Sequence, residues 1–128
     1  MRLLIDTQVI LWWLSDDDKL GKQARGLLGE AETQVFASIA SLWEVSIKQS
    51  MGKLPAKAAD LANWLRELSI DILPVSVSHL VALERLPHLH RDPFDRILVA
   101  QTIAEGLTIM TSDQKIAHYG IPCIQARR

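Results

Sequence analysis

The chain has 128 residues, 48% of them apolar and 23% charged, which is enough to bury one core and too little for two, so a single domain spanning residues 1–128 is expected. This balance excludes a disordered or fibrous polypeptide, and a net charge of −1 excludes the broad basic surface with which many nucleic-acid binders hold a phosphate backbone. One cysteine, Cys123, rules out an internal disulfide and a thiolate-rich zinc site. No apolar run has the length of a membrane span or the pattern of a targeting segment, and a cytoplasmic location is the expectation.

In chain order, Leu3, Leu4 and Ile5 form a short apolar run that Asp6 ends, and Val9–Leu14 continues at helix length, which predicts a buried strand and then a helix. Asp16, Asp17 and Asp18 break the pattern and can cap a second helix whose Leu20, Ala24, Leu27 and Leu28 share a face up to Gly29. Gln34–Ala37 reads as the second strand. From Ile39 to Met51 the apolar residues Ile39, Leu42, Trp43 and Ile47 follow helical spacing, with Ser38 placed to cap the start and Gly52 to close the end. Pro55 opens the next helix, in which Leu61, Trp64, Leu65 and Leu68 fall on one face. Ile70–Val75 reads as a third strand, and Pro74 assigns it to an edge or a strand end. Ser76 begins a short helix that Pro87 stops, and 88–91 is a loop. Asp92 then caps a helix with Pro93 at its first position, and the run Ile97, Leu98, Ala100, Ile103 and Ala104 ends at Gly106. Leu107–Thr111 is a buried strand, Asp113 caps one more short helix, and Ile121–Ile124 is a last strand.

Strands that alternate with helices predict a parallel sheet covered on both faces. In such sheets, ligands bind beyond the carboxyl ends of the strands. Asp6 follows the first strand and Asp113 follows Thr111 by two residues, so both belong at that edge. Asp95 lies in the first turn of the helix capped by Asp92, and Glu44 lies early in the helix after the second strand, from which its side chain leans back toward the same edge. Close carboxylates repel by about 4 kcal/mol per pair at an effective dielectric of 20, so a cation belongs among them, and all-oxygen ligation selects Mg²⁺ or Mn²⁺.

Each of these residues also has an ordinary explanation. Asp92 and Asp113 are natural helix caps, and Ser41-x-x-Glu44 matches a capping box if that helix starts late. Asp6 is hardest to dismiss because it interrupts an apolar run. His88 and His90, two histidines without further ligands, are expected at the surface. Trp12, Trp13, Trp43 and Trp64 lie on helices at core spacing and are expected in the core rather than against bases. Among basic residues, Lys48, Lys53 and Lys57, then Arg91 and Arg96, then Arg127 and Arg128 form local groups. Solvated surface charge is the better explanation for any one of them.

Taken together, Leu4-Ile5-Asp6-Thr7 with Leu11-Trp12-Trp13-Leu14, then Ser41-Leu42-Trp43-Glu44 with Lys48 and Gly52-Lys53-Leu54, and above all His90-Arg91-Asp92-Pro93-Phe94-Asp95-Arg96 resemble the PIN-domain family, in particular its VapC-type toxins. Thr111-Ser112-Asp113 and Tyr119-Gly120-Ile121 extend the likeness over nearly the whole chain. The resemblance implies a three-layer α/β/α fold with a central parallel sheet of four or five short strands. It also implies a Mg²⁺- or Mn²⁺-dependent endoribonuclease with Asp6, Glu44, Asp95 and Asp113 in the family's acidic positions, a homodimer, and a cognate antitoxin in the active-site groove. Asp6 and Asp95 are then the principal metal ligands, while Glu44 and Asp113 hold a second ion or orient water. Thr7 and Thr111 are expected to hydrogen-bond the carboxylates, with Asp92 as a cap or supporting ligand. Lys48, Arg91 and Arg96 are expected to meet RNA phosphates. Gln8 departs from the histidine often found there. The rivals are a DNA-directed nuclease of the same fold, a non-catalytic protein-docking module and, ranked last, a phosphoacceptor domain.

Overall fold

The computed structural model describes Met1–Arg128 and contains five short strands: β1 (Arg2–Ile5), β2 (Gln34–Ser38), β3 (Asp71–Leu73), β4 (Thr108–Thr111) and β5 (Cys123–Gln125). All pair in parallel, in the order β3-β2-β1-β4-β5. Because successive side chains on a strand point to opposite faces, each inner strand supplies two cores. Leu3, Ile5, Val35, Ala37 and Met110 enter one core, whereas Leu4, Phe36 and Ile109 enter the other. Burial on both faces is why these strands read as unbroken apolar runs instead of alternating ones.

The first core is closed by α1 (Thr7–Leu14), α2 (Lys22–Gly29), α3 (Ile39–Ser50) and α4 (Ala58–Glu67). The second is closed by α5 (Val77–Glu84), α6 (Pro93–Glu105) and α7 (Gln114–Ala117). The result is a three-layer α/β/α arrangement around an all-parallel sheet. The chain runs outward from β1 through β2 to β3, then crosses back to β4 and β5, so the order reverses between β1 and β4. Crevices form at such a reversal, beyond the carboxyl ends of the strands.

Several predicted boundaries move for identifiable reasons. The third strand shortens to Asp71–Leu73, because the Ile70 N–H donates to Leu65 O instead and Pro74 has no N–H to continue the ladder. It is an edge strand, as Pro74 requires. The helix placed at Pro55 starts at Ala58, capped by Lys57, and Leu68 falls outside it, exposed. The last strand shifts to Cys123–Gln125. The acidic triplet does not cap α2: Gly21 holds that position without a side-chain bond, Asp17 accepts from its near neighbour Lys19 N, and Asp16 pairs with Arg25 at 2.7 Å. Glycine is required at position 21, since a Cβ there would lie 2.0 Å from the Arg128 backbone. The chain end is laid over this point, with Gly21 N donating to Ala126 O and Gln23 N to Arg128 O. Arg127 stacks above Trp12 at 5.5 Å, which gives it a packing role.

Candidate active site

The acidic residues are delivered by the starts or early turns of four helices, α1, α3, α6 and α7. Asp6 caps α1, its Oδ1 accepting from Val9 N at 2.8 Å, while its Oδ2 accepts from the Thr111 hydroxyl. Asp92 caps α6 by accepting from Phe94 N and Asp95 N, so it fixes the turn that carries Asp95. Asp113 caps α7 through Lys115 N, and its own N–H donates to Thr111 Oγ1. Glu44 comes from α3, which starts at Ile39 under a Ser38 cap, so the late-start capping box does not form. Instead Ser41, fully buried, accepts from the Thr7 hydroxyl at 2.9 Å and ties α1 to α3.

These residues meet. Asp6, Glu44, Asp92, Asp95 and Asp113 line one cavity of about 280 Å³, together with Thr7, Gln8, Leu11, Lys48 and Ser112. Asp6 is 4% exposed and Glu44 7%, so neither has bulk water to stabilise its charge. Burial pushes the Asp6 carboxyl up to about 6 against the hydrogen bonds from Thr111 and Val9, and the charges of Asp113 and Glu44 push the same way. Asp95 rises to about 7, first through burial and then through the charges of Asp92 and Asp6. One Glu44 oxygen pairs with Lys48 at 3.0 Å, and the other, Oε1, is buried with no hydrogen-bond partner.

The sequence description of the PIN domain fits residues 3–122. The chain belongs to the PIN-domain family. A protein of Mycobacterium tuberculosis named Ribonuclease VapC22 is 25% identical over 123 residues, 94% of this chain and 93% of that one. Among solved structures, VapBC2 from Rickettsia felis bound to a DNA fragment from the promoter aligns at a TM-score of 0.76 and 15% identity, covering 97% of this chain and 98% of that one. FitAcB from Neisseria gonorrhoeae aligns at 0.70 and 17% identity, and a toxin-antitoxin complex from Klebsiella pneumoniae at 0.64 and 19%. Both cover 97% of each chain. At these identities the structural likeness establishes the fold.

The donors of this PIN domain suit a hard divalent cation. A buried carboxylate oxygen without a partner, beside two carboxyls that hold protons up to near-neutral pH, is a site short of positive charge, and its oxygens are the ligand type that Mg²⁺ and Mn²⁺ take. Two supporting assignments change. Thr111 bonds a carboxylate, but Thr7 bonds Ser41. Arg96 turns inward, with Nη1 donating to Pro87 O and Tyr119 Oη, so a phosphate contact from it falls to its remaining nitrogens. Arg91 is exposed.

Sequence reasoning misplaced two residues and missed a third. Trp43, expected in the core, is 63% exposed and meets Phe94 edge-on at 5.1 Å in an apolar groove separate from the acidic cavity. Its helical spacing is that of α3's apolar stripe, but the stripe is wider than the surface it covers. His90, expected at the surface, has a side chain only 10% exposed, with Nε2 2.9 Å from Asp113 and 3.0 Å from Asp95. Its position two residues before the Asp92 cap was the available signal. Tyr119, whose hydroxyl anchors both His90 N and Arg96, entered the sequence reading only as part of the family likeness, with no role assigned.

Proposed function

We propose that this chain is a metal-dependent endoribonuclease that hydrolyses RNA phosphodiester bonds and serves as the toxin of a toxin–antitoxin pair. The observation that carries the reading is the convergence of Asp6, Glu44, Asp95 and Asp113 on one cavity where a buried Glu44 oxygen has no partner. Family membership and the name of the Mycobacterium relative supply the reaction class, and the toxin-antitoxin complex among the similar structures supplies the class of partner. In this reading residues 1–128 act as one domain, as a homodimer, in the cytoplasm. No helix is long and apolar enough to cross a membrane. An exposed apolar groove of about 480 Å³ beside the site, lined among others by Ile39, Trp43, Leu80 and Phe94, supports a protein partner.

Asp6 and Asp95 would hold Mg²⁺ or Mn²⁺, and Glu44 and Asp113 would hold a second ion or orient water. The cation supplies, when bound, Lewis acidity at a phosphoryl oxygen and a lowered pKa for water. The protein supplies geometry. Thr111 and Val9 N fix the two oxygens of Asp6, and Asp92 fixes the turn beneath Asp95. Lys48 offsets Glu44 at the rim, where Lys48 and Arg91 meet backbone phosphates. None of these groups needs to act as a covalent nucleophile.

The test incubates purified protein with RNA and with DNA of the same base sequence, in Mg²⁺, Mn²⁺ or chelator. RNA is cleaved with metal and not with chelator, and Asp95→Asn abolishes cleavage while keeping the wild-type circular dichroism. Cleavage of DNA alone identifies a DNA nuclease. Absence of both cleavage and a metal-induced thermal shift identifies a protein-docking module. Either result overturns the reading.

A further inference from the structure

His90 is the one side chain within hydrogen-bonding distance of two site carboxylates, and its place in the sequence predicted no role for it. Its Nε2 lies 2.9 Å from Asp113 Oδ2 and 3.0 Å from Asp95 Oδ2, and these three atoms all fall within 4.8 Å of one another. Such a trio has the look of a three-ligand metal site. The other ring nitrogen decides against it. Nδ1 faces the Asp92 backbone N–H at 3.2 Å, and a backbone N–H can only donate, so Nδ1 accepts and carries no proton.

With Nδ1 accepting, the ring hydrogen lies on Nε2, aimed at the carboxylates. From there Nε2 bonds Asp113 Oδ2, with Asp95 Oδ2 a second oxygen within reach at 3.0 Å, so the tautomer is fixed at the Nδ1 end and used at the other. A metal-ligating histidine has the opposite polarity: it binds through a bare nitrogen and donates from its other one. His90 accepts where a ligand would donate, and donates where a ligand would bind.

The ring is also held from behind. His90 N donates to Tyr119 Oη at 3.1 Å, and Arg96 Nη1 donates to the same hydroxyl. Asp95 and Asp113 sit on separate helices, α6 and α7, and their own caps orient backbone, not the spacing between the two carboxylates. His90 is the side chain that reaches both.

We propose that His90 is a positioning residue that uses its Nε2–H to hold the Asp95 and Asp113 carboxylates at the separation a shared divalent cation needs, and that it is not itself a ligand. The inference rests on the metal-nuclease reading and specifies how that site is kept in shape. It predicts that a side chain carrying an N–H at the place of Nε2 can substitute for imidazole. Glutamine does so through its amide nitrogen, and alanine does not.

The experiment measures Mn²⁺ binding by electron paramagnetic resonance for wild type, His90→Gln and His90→Ala, with thermal unfolding in chelator as the control on folding. Removing a side chain that orients metal ligands weakens binding by roughly 10- to 100-fold, so His90→Ala should fall in that range while His90→Gln stays within a few fold of wild type. Electron spin echo spectra of Mn²⁺-loaded wild type should show no directly coordinated histidine nitrogen. Directly coordinated ¹⁴N in wild type, unchanged binding in His90→Ala, or a glutamine variant as weak as the alanine one each overturns the proposal. If His90→Ala does not fold, the glutamine variant and the wild-type spectrum still decide it. A wild type that binds no Mn²⁺ refutes the metal-nuclease reading itself, an outcome distinct from all of these.

Discussion

Replacing Asp6 by asparagine should make the metal-free protein more stable while abolishing its response to metal. Asp6 is held near pKa 6 against an ordinary 3.8, and every tenfold change in proton affinity between the folded and unfolded chain is worth about 1.36 kcal/mol. The direction follows from linkage. A carboxyl whose folded pKa is raised leaves the fold unburdened below its unfolded pKa and destabilises it as pH rises through the folded value. The penalty is therefore near zero below pH 3.8, about half developed at pH 5 and about 3 kcal/mol at pH 8. Asparagine can still accept from Val9 N as the α1 cap, so little of that gain is returned. Urea unfolding in chelator should show Asp6→Asn more stable than wild type by about 3 kcal/mol at pH 8, with the gap roughly halved at pH 5. A variant equally or less stable at pH 8, or a gap independent of pH, would refute the argument that buried charge burdens this site.

Other consequences can be measured separately. Mg²⁺ or Mn²⁺ at a hundredfold excess over its Kd should stabilise the wild type by about 2.7 kcal/mol at pH 8. The gain should shrink at pH 5, where protons compete for Asp6 and Asp95, and thermal shifts with no pH dependence would count against those two as ligands. Thr111→Val removes a hydrogen bond that holds the Asp6 carboxyl down, so carboxyl ¹³C titration should find Asp6 above its wild-type value near 6. An unchanged or lower value contradicts the assigned contact. Gly21→Ala drives a methyl into the Arg128 backbone and should cost about 1–3 kcal/mol, read from urea midpoints. A neutral result would mean that the chain end is readily displaced.

The features that were legible in the sequence are those encoded locally. Asp92 with Pro93, and Gly106 at a left-handed φ of 64°, bracket α6 as capping chemistry predicts, and Leu3–Ile5 announces a strand buried on both faces. Asp6 and Asp113 could be assigned to one edge because each directly follows a strand of the same parallel sheet. What stayed hidden depends on long-range packing. Whether the Thr7 hydroxyl meets a carboxylate or Ser41 is decided by how α1 packs on α3, and Trp43 stays exposed because its ring meets Phe94 at the surface and not the core. His90 illustrates the limit most clearly, since its hydrogen bond to Asp113 is set by the docking of α7, 23 residues beyond it.

The reversal of strand order between β1 and β4 has a consequence for biosynthesis. The central strand is made first, but one of its two neighbours begins only at Thr108, and the hydroxyl that fixes Asp6 is 105 positions downstream of it. A nascent chain that has not yet exposed residues 108–113 therefore lacks both the second neighbour of β1 and Asp113. The proposed nuclease centre assembles only once Thr108–Thr111 and Asp113 have emerged and that strand has joined the first.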